Sequence, residues 1–377
     1  MNGQNIYTPH ILVKQGEMTA IKLLNIANNP HKNSFIPLFE LLPVNGWQTQ
    51  ENNENEQDNQ TQENNENEQN NKTLIQSQIN RIASSWNKDL PAFLDGSNVG
   101  ITENEDTITL TQTFMEAKEL SGFNFIPVSH TLDLTNEDST QIKNMLDSNL
   151  CENAAVRMPF TSWDSRNFDN LKDWMDDLNL AYSHYYLIID LQKPDDLSEY
   201  ETAMDLIQSL NEKFPECSII LLSTSIPDTE QFTKILTPYP RFEWLNWKSI
   251  QGDCQNLIFG DYGTVGLYHT LGIDPRFIQI SGKFKYTSDD NWYIAKGGLY
   301  KSNKADESLG GISVKPVLEA ISKLPGFNPN HCQADTWIVK RAKGEASRRE
   351  YGNPATWIAQ STLHHVETVL NQLAELQ

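Results

Sequence analysis

Short apolar runs that stop on a charged or polar residue recur along this 377-residue chain, and their spacing limits what it can fold into. Pro9–Val13 runs into Lys14, Ile36–Phe39 into Glu40, Pro91–Leu94 into Asp95, and Asn124–Val128 into Ser129 and His130. Ala154–Pro159 carries Arg157, Tyr185–Ile189 stops on Asp190, and Ser218–Leu222 stops on Ser223. A last run ends at Trp247, in Arg241–Trp247, or at Asp261, in Asn256–Asp261, and both stand open as the eighth strand. With an insert at 45–72 set aside, most steps between stops are 26 to 34 residues, the length of one strand and one helix.

Helical periodicity fills the gaps. Met18, Ile21 and Leu24 follow the Lys14–Glu17 turn, and Leu74, Ile75, Ile79 and Ile82 mark a helix over 73–86. Further helices are expected at 111–120, 139–146, 164–178 and 197–214, with a short one near 229–236. Strands alternating with helices imply a parallel sheet, and near-continuous apolar strands imply burial on both faces. Eight units without a Gly-rich phosphate fingerprint after the first strand favour an α/β fold of (β/α)8 TIM-barrel type over 1–261. The alternative is an open doubly wound parallel sheet.

Beyond Asp261 the pattern changes. Arg276–Thr287 alternates apolar and polar residues, Ser288–Asn291 reads as a turn, and Trp292–Lys296 returns, which predicts a β-hairpin with loops at Gly297 and Gly298. A helix near 314–324 follows, then a basic stretch from Lys340 to Arg349. Pro354 opens a final amphipathic helix. Residues 262–354 thus read as a β-rich insertion ahead of a closing helix, 355–377.

The insert is a tandem repeat: Gln48–Gln57 recurs letter for letter as Gln60–Gln69. It has no apolar side chain to offset ordering entropy, so disorder is expected. Residues 48–69 supply seven carboxylates and no Lys or Arg, about a third of the net charge of −21. That acidity argues against a general nucleic-acid surface. Four scattered cysteines without C-x-x-C spacing read as buried reduced thiols. No apolar run reaches membrane-spanning length and no signal peptide opens the chain, so a cytoplasmic protein is expected.

Several segments together resemble the prokaryotic and phage Beta protein family. They are Tyr7-x-Pro9 with Lys14-x-Gly16-Glu17-x-x-Ala20, Ile36–Glu40, Arg157 in its strand, Gly260-Asp261-Tyr262, Lys285-Tyr286 with Trp292, and Trp357 with His364-His365. The resemblance implies a shared fold and a role in phage–host conflict, and it supplies no reaction. The acidic repeat departs from the family pattern.

In barrels, reactive groups collect at the C-terminal ends of the strands. Glu40, Asp95 and Asp190 are the candidate catalytic carboxylates; Lys14, Glu17, Arg157, Asp261 and His364 are the candidate ligand-binding groups. Carboxylates with a Lys and an Arg suit a phosphorylated or nucleotide ligand, with Mg²⁺ or Mn²⁺ on the carboxylates and phosphoester hydrolysis as the chemistry. Structural salt bridges among the same residues are the simpler reading. Adjacent histidines point about 100° apart, so His364 and His365 are poor joint ligands of one metal. Ser223-Thr-Ser225 lacks a nucleophile elbow and no P-loop occurs. The alternative function is a non-catalytic scaffold that docks a protein partner through the aromatic hairpin of 262–354.

Overall fold

The computed structural model describes residues 5–43, 60–96, 107–133, 136–163, 165–267, 279–302 and 304–376. Its strands are β1 (Tyr7–Leu12), β2 (Leu38–Glu40), β3 (Ala92–Asp95), β4 (Phe125–Ser129), β5 (Ala154–Pro159), β6 (Tyr185–Gln192), β7 (Ser218–Ser223), β8 (Thr237–Pro240), β9 (Leu257–Asp261), β10 (Ile280–Ser288) and β11 (Asn291–Lys301). Its helices are α1 (Gln15–Leu24), α2 (Gln60–Ser85), α3 (Thr107–Glu116), α4 (Glu137–Asp147), α5 (Ser165–Leu178), α6 (Leu197–Lys213), α7 (Phe242–Ile250), α8 (Lys315–Ile321), α9 (Gln333–Ala342) and α10 (Pro354–Glu375). Strands β1 to β7 and β9 close a parallel barrel, with Tyr7 opposite Phe259 where first and last strands meet. The open sheet is thereby excluded. No helix among the described residues is long and apolar enough to cross a membrane.

Closure sorts each strand into two faces. Leu38, Phe93, Val128, Ala155, Ile188, Leu222 and Ile258 fill the barrel. Their neighbours Phe39, Leu94, Val156, Ile189, Leu221 and Phe259 pack outward against the helices. Each strand is apolar on both sides because both sides are buried. The final helix, α10, lies against α1, where Gly16 permits close approach: a Cβ there would stand 2.9 Å from Ile358 Cγ2.

Several expectations need correction. The Arg241–Trp247 run is mostly helix α7, and the Asp261 run is the eighth barrel strand. Trp244 and Trp247 stack at 5.4 Å and both rings meet Phe259, so a helical spacing of three buries both on one side. The helix expected at 229–236 is one 3₁₀ turn, Thr229–Gln231. Gly297 and Gly298 lie inside β11, where a Cβ on Gly297 would fall 1.9 Å from the Ser313 carbonyl oxygen. Helix α2 begins at Gln60 and takes in the second copy of the repeat. Once the apolar half of a helix is docked, adding good formers such as Gln and Glu costs little. The first copy lies outside the described residues.

Beside the barrel, β10, β11 and β8 form an antiparallel sheet. Its core joins Phe284, Tyr286, Val317, Leu318, Ile338 and Trp357, and thereby packs α8, α9 and α10 together. Two of the aromatics proposed for docking are packed away: Tyr286, in this core, is 4 % exposed, and Trp292, in a neighbouring cluster with Ile226 and Phe232, is fully buried, whereas Tyr293 and Tyr300 are half-buried. A partner surface on the hairpin would therefore rest on Tyr293 and Tyr300. Cys151, Cys217 and Cys254 are buried free thiols, and Cys332 is half-buried.

Candidate functional site

The inward residues at the C-terminal strand ends are His10, Glu40, Asp95, His130, Arg157 and Asp190, with Tyr262 just past β9. Each stands two residues beyond a barrel-filling residue or continues that alternation, so the period of two aims them at the mouth.

Arg157 is the centre. Its Nε donates to Asp190 Oδ2 at 2.9 Å, and Nη1 donates to Glu40 Oε2 at 2.9 Å and Asp95 Oδ2 at 2.7 Å. Nη2 donates to the Tyr262 hydroxyl at 3.0 Å, and that hydroxyl donates to Asp190 Oδ1 at 2.7 Å. Burial works against a buried guanidinium, yet Tyr262 and the three carboxylates outweigh it and raise the Arg157 pKa.

Two histidines complete the ring. His10 Nε2 lies 2.5 Å from Glu40 Oε2, and His130 Nε2 lies 2.9 Å from Asp95 Oδ1. Burial raises the Glu40 pKa, but His10 and Arg157 prevail and hold it at about 2. The cluster is therefore three carboxylates around one permanent cation and two imidazoles. His130 is its opening to solvent: its side chain is 30 % exposed and borders a cavity of about 520 Å³ against Asn167, Asn170 and Asp173.

Asp190 is held by backbone as well. It accepts from the Gln192 N–H at 2.9 Å, across a register irregularity in β6. Gln192 takes φ 55, a left-handed conformation unusual for a residue with a Cβ.

The structure thus brings Glu40, Asp95, Arg157 and Asp190 together, as expected. Asp261 is elsewhere, which corrects the expectation that it reaches the mouth. Gly260 takes the inward position, against Ile220, so Asp261 faces outward to α10. There Asp261 accepts from the Tyr7 hydroxyl at 2.8 Å, the His365 Nε2–H at 2.8 Å and the Gly263 N–H at 2.9 Å. Burial raises its pKa, and His365, the Gly263 N–H and Arg241 more than offset that. Burial lowers the His365 pKa against the pull of Asp261, and its Nδ1 lies 2.7 Å from the Thr287 hydroxyl.

Glu17 is likewise outside the cluster. It is buried in the first turn of α1, neither oxygen hydrogen-bonded among the described residues, and burial raises its pKa. Lys14 is the half-buried N-cap residue of α1 and acts on Glu17 electrostatically. His364 points to α9, with Nδ1 2.9 Å from Asp335 Oδ2. His10, His130 and Tyr262 were missed. Their signal was available: each sits an even number of residues from a barrel-filling position.

A second feature occupies the far side of the mouth. A cavity of about 490 Å³ follows β6, β7 and β9, lined by Lys193, Thr224, Asp228, Gly266 and Lys285 among others. Lys193 pairs with Asp228 at 2.8 Å. Lys285 Nζ donates to the Thr264 carbonyl and lines a smaller adjoining cavity of about 180 Å³. Burial and neighbouring Lys283 lower its pKa to about 7, against the pull of Glu17. The residue keeps some exposure through the cavities it lines.

A family model described as Beta protein matches residues 7–371. None of the curated proteins matches. Among solved structures, orotidine 5'-monophosphate decarboxylase of Plasmodium berghei is similar at 9% identity over 69% of this chain and 87% of that one. The TM-score is 0.30, too loose an overlap to carry an argument about this chain.

Proposed function

The chain belongs to the Beta protein family, and for this member we propose a barrel that binds a small phosphorylated ligand across its mouth. The observation that carries the reading is the cavity of about 490 Å³ at the ends of the sixth, seventh and eighth barrel strands, lined by Lys193 and Lys285. Loops after the last two strands are where barrels commonly seat phosphate, an analogy of fold rather than of sequence. The Lys193 ammonium, the Thr224 hydroxyl and Lys285, whose amine a bound phosphate would draw back to its charged form, suit a phosphate monoester or diphosphate.

Arg157 does not serve as the phosphate clamp in this reading. Its nitrogens already donate to Glu40, Asp95, Asp190 and Tyr262. The cluster instead forms a polar floor, with His130 as its solvent-exposed edge. Binding is favoured over metal-assisted hydrolysis for the same reason: a divalent ion on the three carboxylates would have to displace a buried guanidinium.

Thermal unfolding against inorganic phosphate, sugar phosphates and nucleotides tests this. A true ligand at a hundred times its dissociation constant adds about 2.7 kcal/mol of stability. The expected result is a shift with one phosphorylated class that disappears in Lys193→Met/Lys285→Met. No shift with any compound, or an undiminished shift in the double variant, overturns the reading.

A further inference from the structure

We propose that His331, Asp335 and His364, with Cys332 as fourth donor, form a zinc site that ties α9 to α10. The four residues come from two places. His331 and Cys332 precede α9, Asp335 is in its first turn, and His364 is midway along α10.

One ligating atom each from His331, Asp335 and His364 lies within 4.8 Å of the others. His364 Nδ1 is 2.9 Å from Asp335 Oδ2, and Cys332 Sγ is 3.1 Å from that same oxygen. Donors on a tetrahedral zinc stand about 3.3 Å apart, so small side-chain rotations close the set of three; the Cys332 thiol, outside that set, joins by turning from Asp335 Oδ2 towards the ion.

The hydrogen bonding around the group points the same way. His364 Nε2 lies 2.7 Å from the Thr287 carbonyl oxygen, which can only accept. Nε2 therefore carries the proton, and in the neutral ring Nδ1 presents a lone pair to a carboxylate oxygen rich in lone pairs. Two buried acceptors 2.9 Å apart need a cation between them, either a second proton or a metal. A ligating histidine whose other nitrogen is held by a main-chain carbonyl is the usual arrangement around zinc. The remaining carboxylate oxygen is also satisfied: Tyr286 donates to Asp335 Oδ1 at 2.9 Å. His331 has an outer partner too, its Nε2 lying 3.2 Å from Thr368 Oγ1.

Donor type selects the ion. Two imidazoles, a carboxylate and a thiolate suit zinc and reject magnesium or calcium. The site is far from the Arg157 cluster in role: it joins the hairpin, α9 and α10, so its work is structural. His331 is half-buried, which leaves a path for the ion to enter.

The test is metal analysis of the purified full chain, followed by cobalt substitution. We expect one zinc per chain, and with cobalt the visible ligand-field bands of a tetrahedral ion together with a thiolate charge-transfer band. His331→Ala, at the exposed edge where folding is least at risk, should weaken zinc by more than about tenfold, the scale seen for losing even an outer-shell partner. Cys332→Ser should abolish the charge-transfer band. A chain that neither retains zinc nor gains thermal stability from added zinc overturns the proposal and leaves an imidazolium–carboxylate pair. Cobalt binding without a thiolate band overturns the assignment of Cys332.

Discussion

Arg157 grips a single oxygen of Asp190 with two nitrogens, Nε and Nη2, each at 2.9 Å. The fork is turned so that Nη1 remains for Glu40 and Asp95 on the opposite strands. One side chain from β5 thereby ties β2, β3 and β6 across the mouth of the barrel.

Removing that cation should be costly. Arg157→Met leaves three buried carboxylates without their shared partner, and breaking a buried ion pair from one side costs about 3–5 kcal/mol. Arg157→Lys should rescue little, since an ammonium cannot span the fork. Urea unfolding at neutral pH measures both; a loss below about 1 kcal/mol for Arg157→Met would show that the cluster does not hold the barrel together.

Acid sensitivity follows from Glu40. Its folded pKa of about 2 lies below the ordinary 4.5, so the unfolded chain takes up this proton first as pH falls. The contribution is present above about pH 5 and is lost as pH drops towards 2. At about 1.4 kcal/mol per pKa unit it amounts to about 3 kcal/mol. Glu40→Gln should flatten the stability profile in that window relative to the wild type. Parallel profiles would remove Glu40 as the source.

Lys285 should behave as an unusual amine. With a folded pKa of about 7, it is largely neutral at pH 8 and should acylate ahead of surface lysines, read by peptide mass mapping. The unfolded chain keeps this proton up to the ordinary lysine range, so stability should rise with pH from about 7 to about 10. Lys283 and Glu17 are the charged groups that act on it, one from the same strand and one from α1. Lys285→Met should remove that slope; an unchanged slope argues that another group titrates there.

Closure of the barrel by α10 can be tested at Gly16. A methyl there would meet Ile358 Cγ2 at 2.9 Å and the Ala355 carbonyl at 3.0 Å. Overpacking of this kind costs about 1–3 kcal/mol. Gly16→Ala should lower the unfolding midpoint, and Ile358→Ala in the same chain should recover part of the loss. Additive effects would mean that the two residues do not press on each other.

Much of the architecture was readable from the residues alone. The stops at Glu40, Asp95, Arg157 and Asp190 announced strand ends, and the spacing announced the units between them. The barrel-mouth cluster follows from those stops, because barrels gather strand ends on one rim. The hairpin was readable too, but not the burial of its aromatics, since alternation shows that a face is apolar and not what covers it.

What the sequence by itself determined was where the chain changes from strand to turn to helix, and which charges stand at those changes. Only the tertiary structure decided which of those charges meet. Asp190 and Asp261 both end apolar strands and read alike, yet one joins Arg157 inside the barrel and the other faces His365 on α10. The reason is physical. Alternation along a strand determines which residues share a face, but these strands are apolar on both faces because both are buried. With no polar face to mark the outside, the direction of each charge is settled only when the barrel closes and the helices cover it.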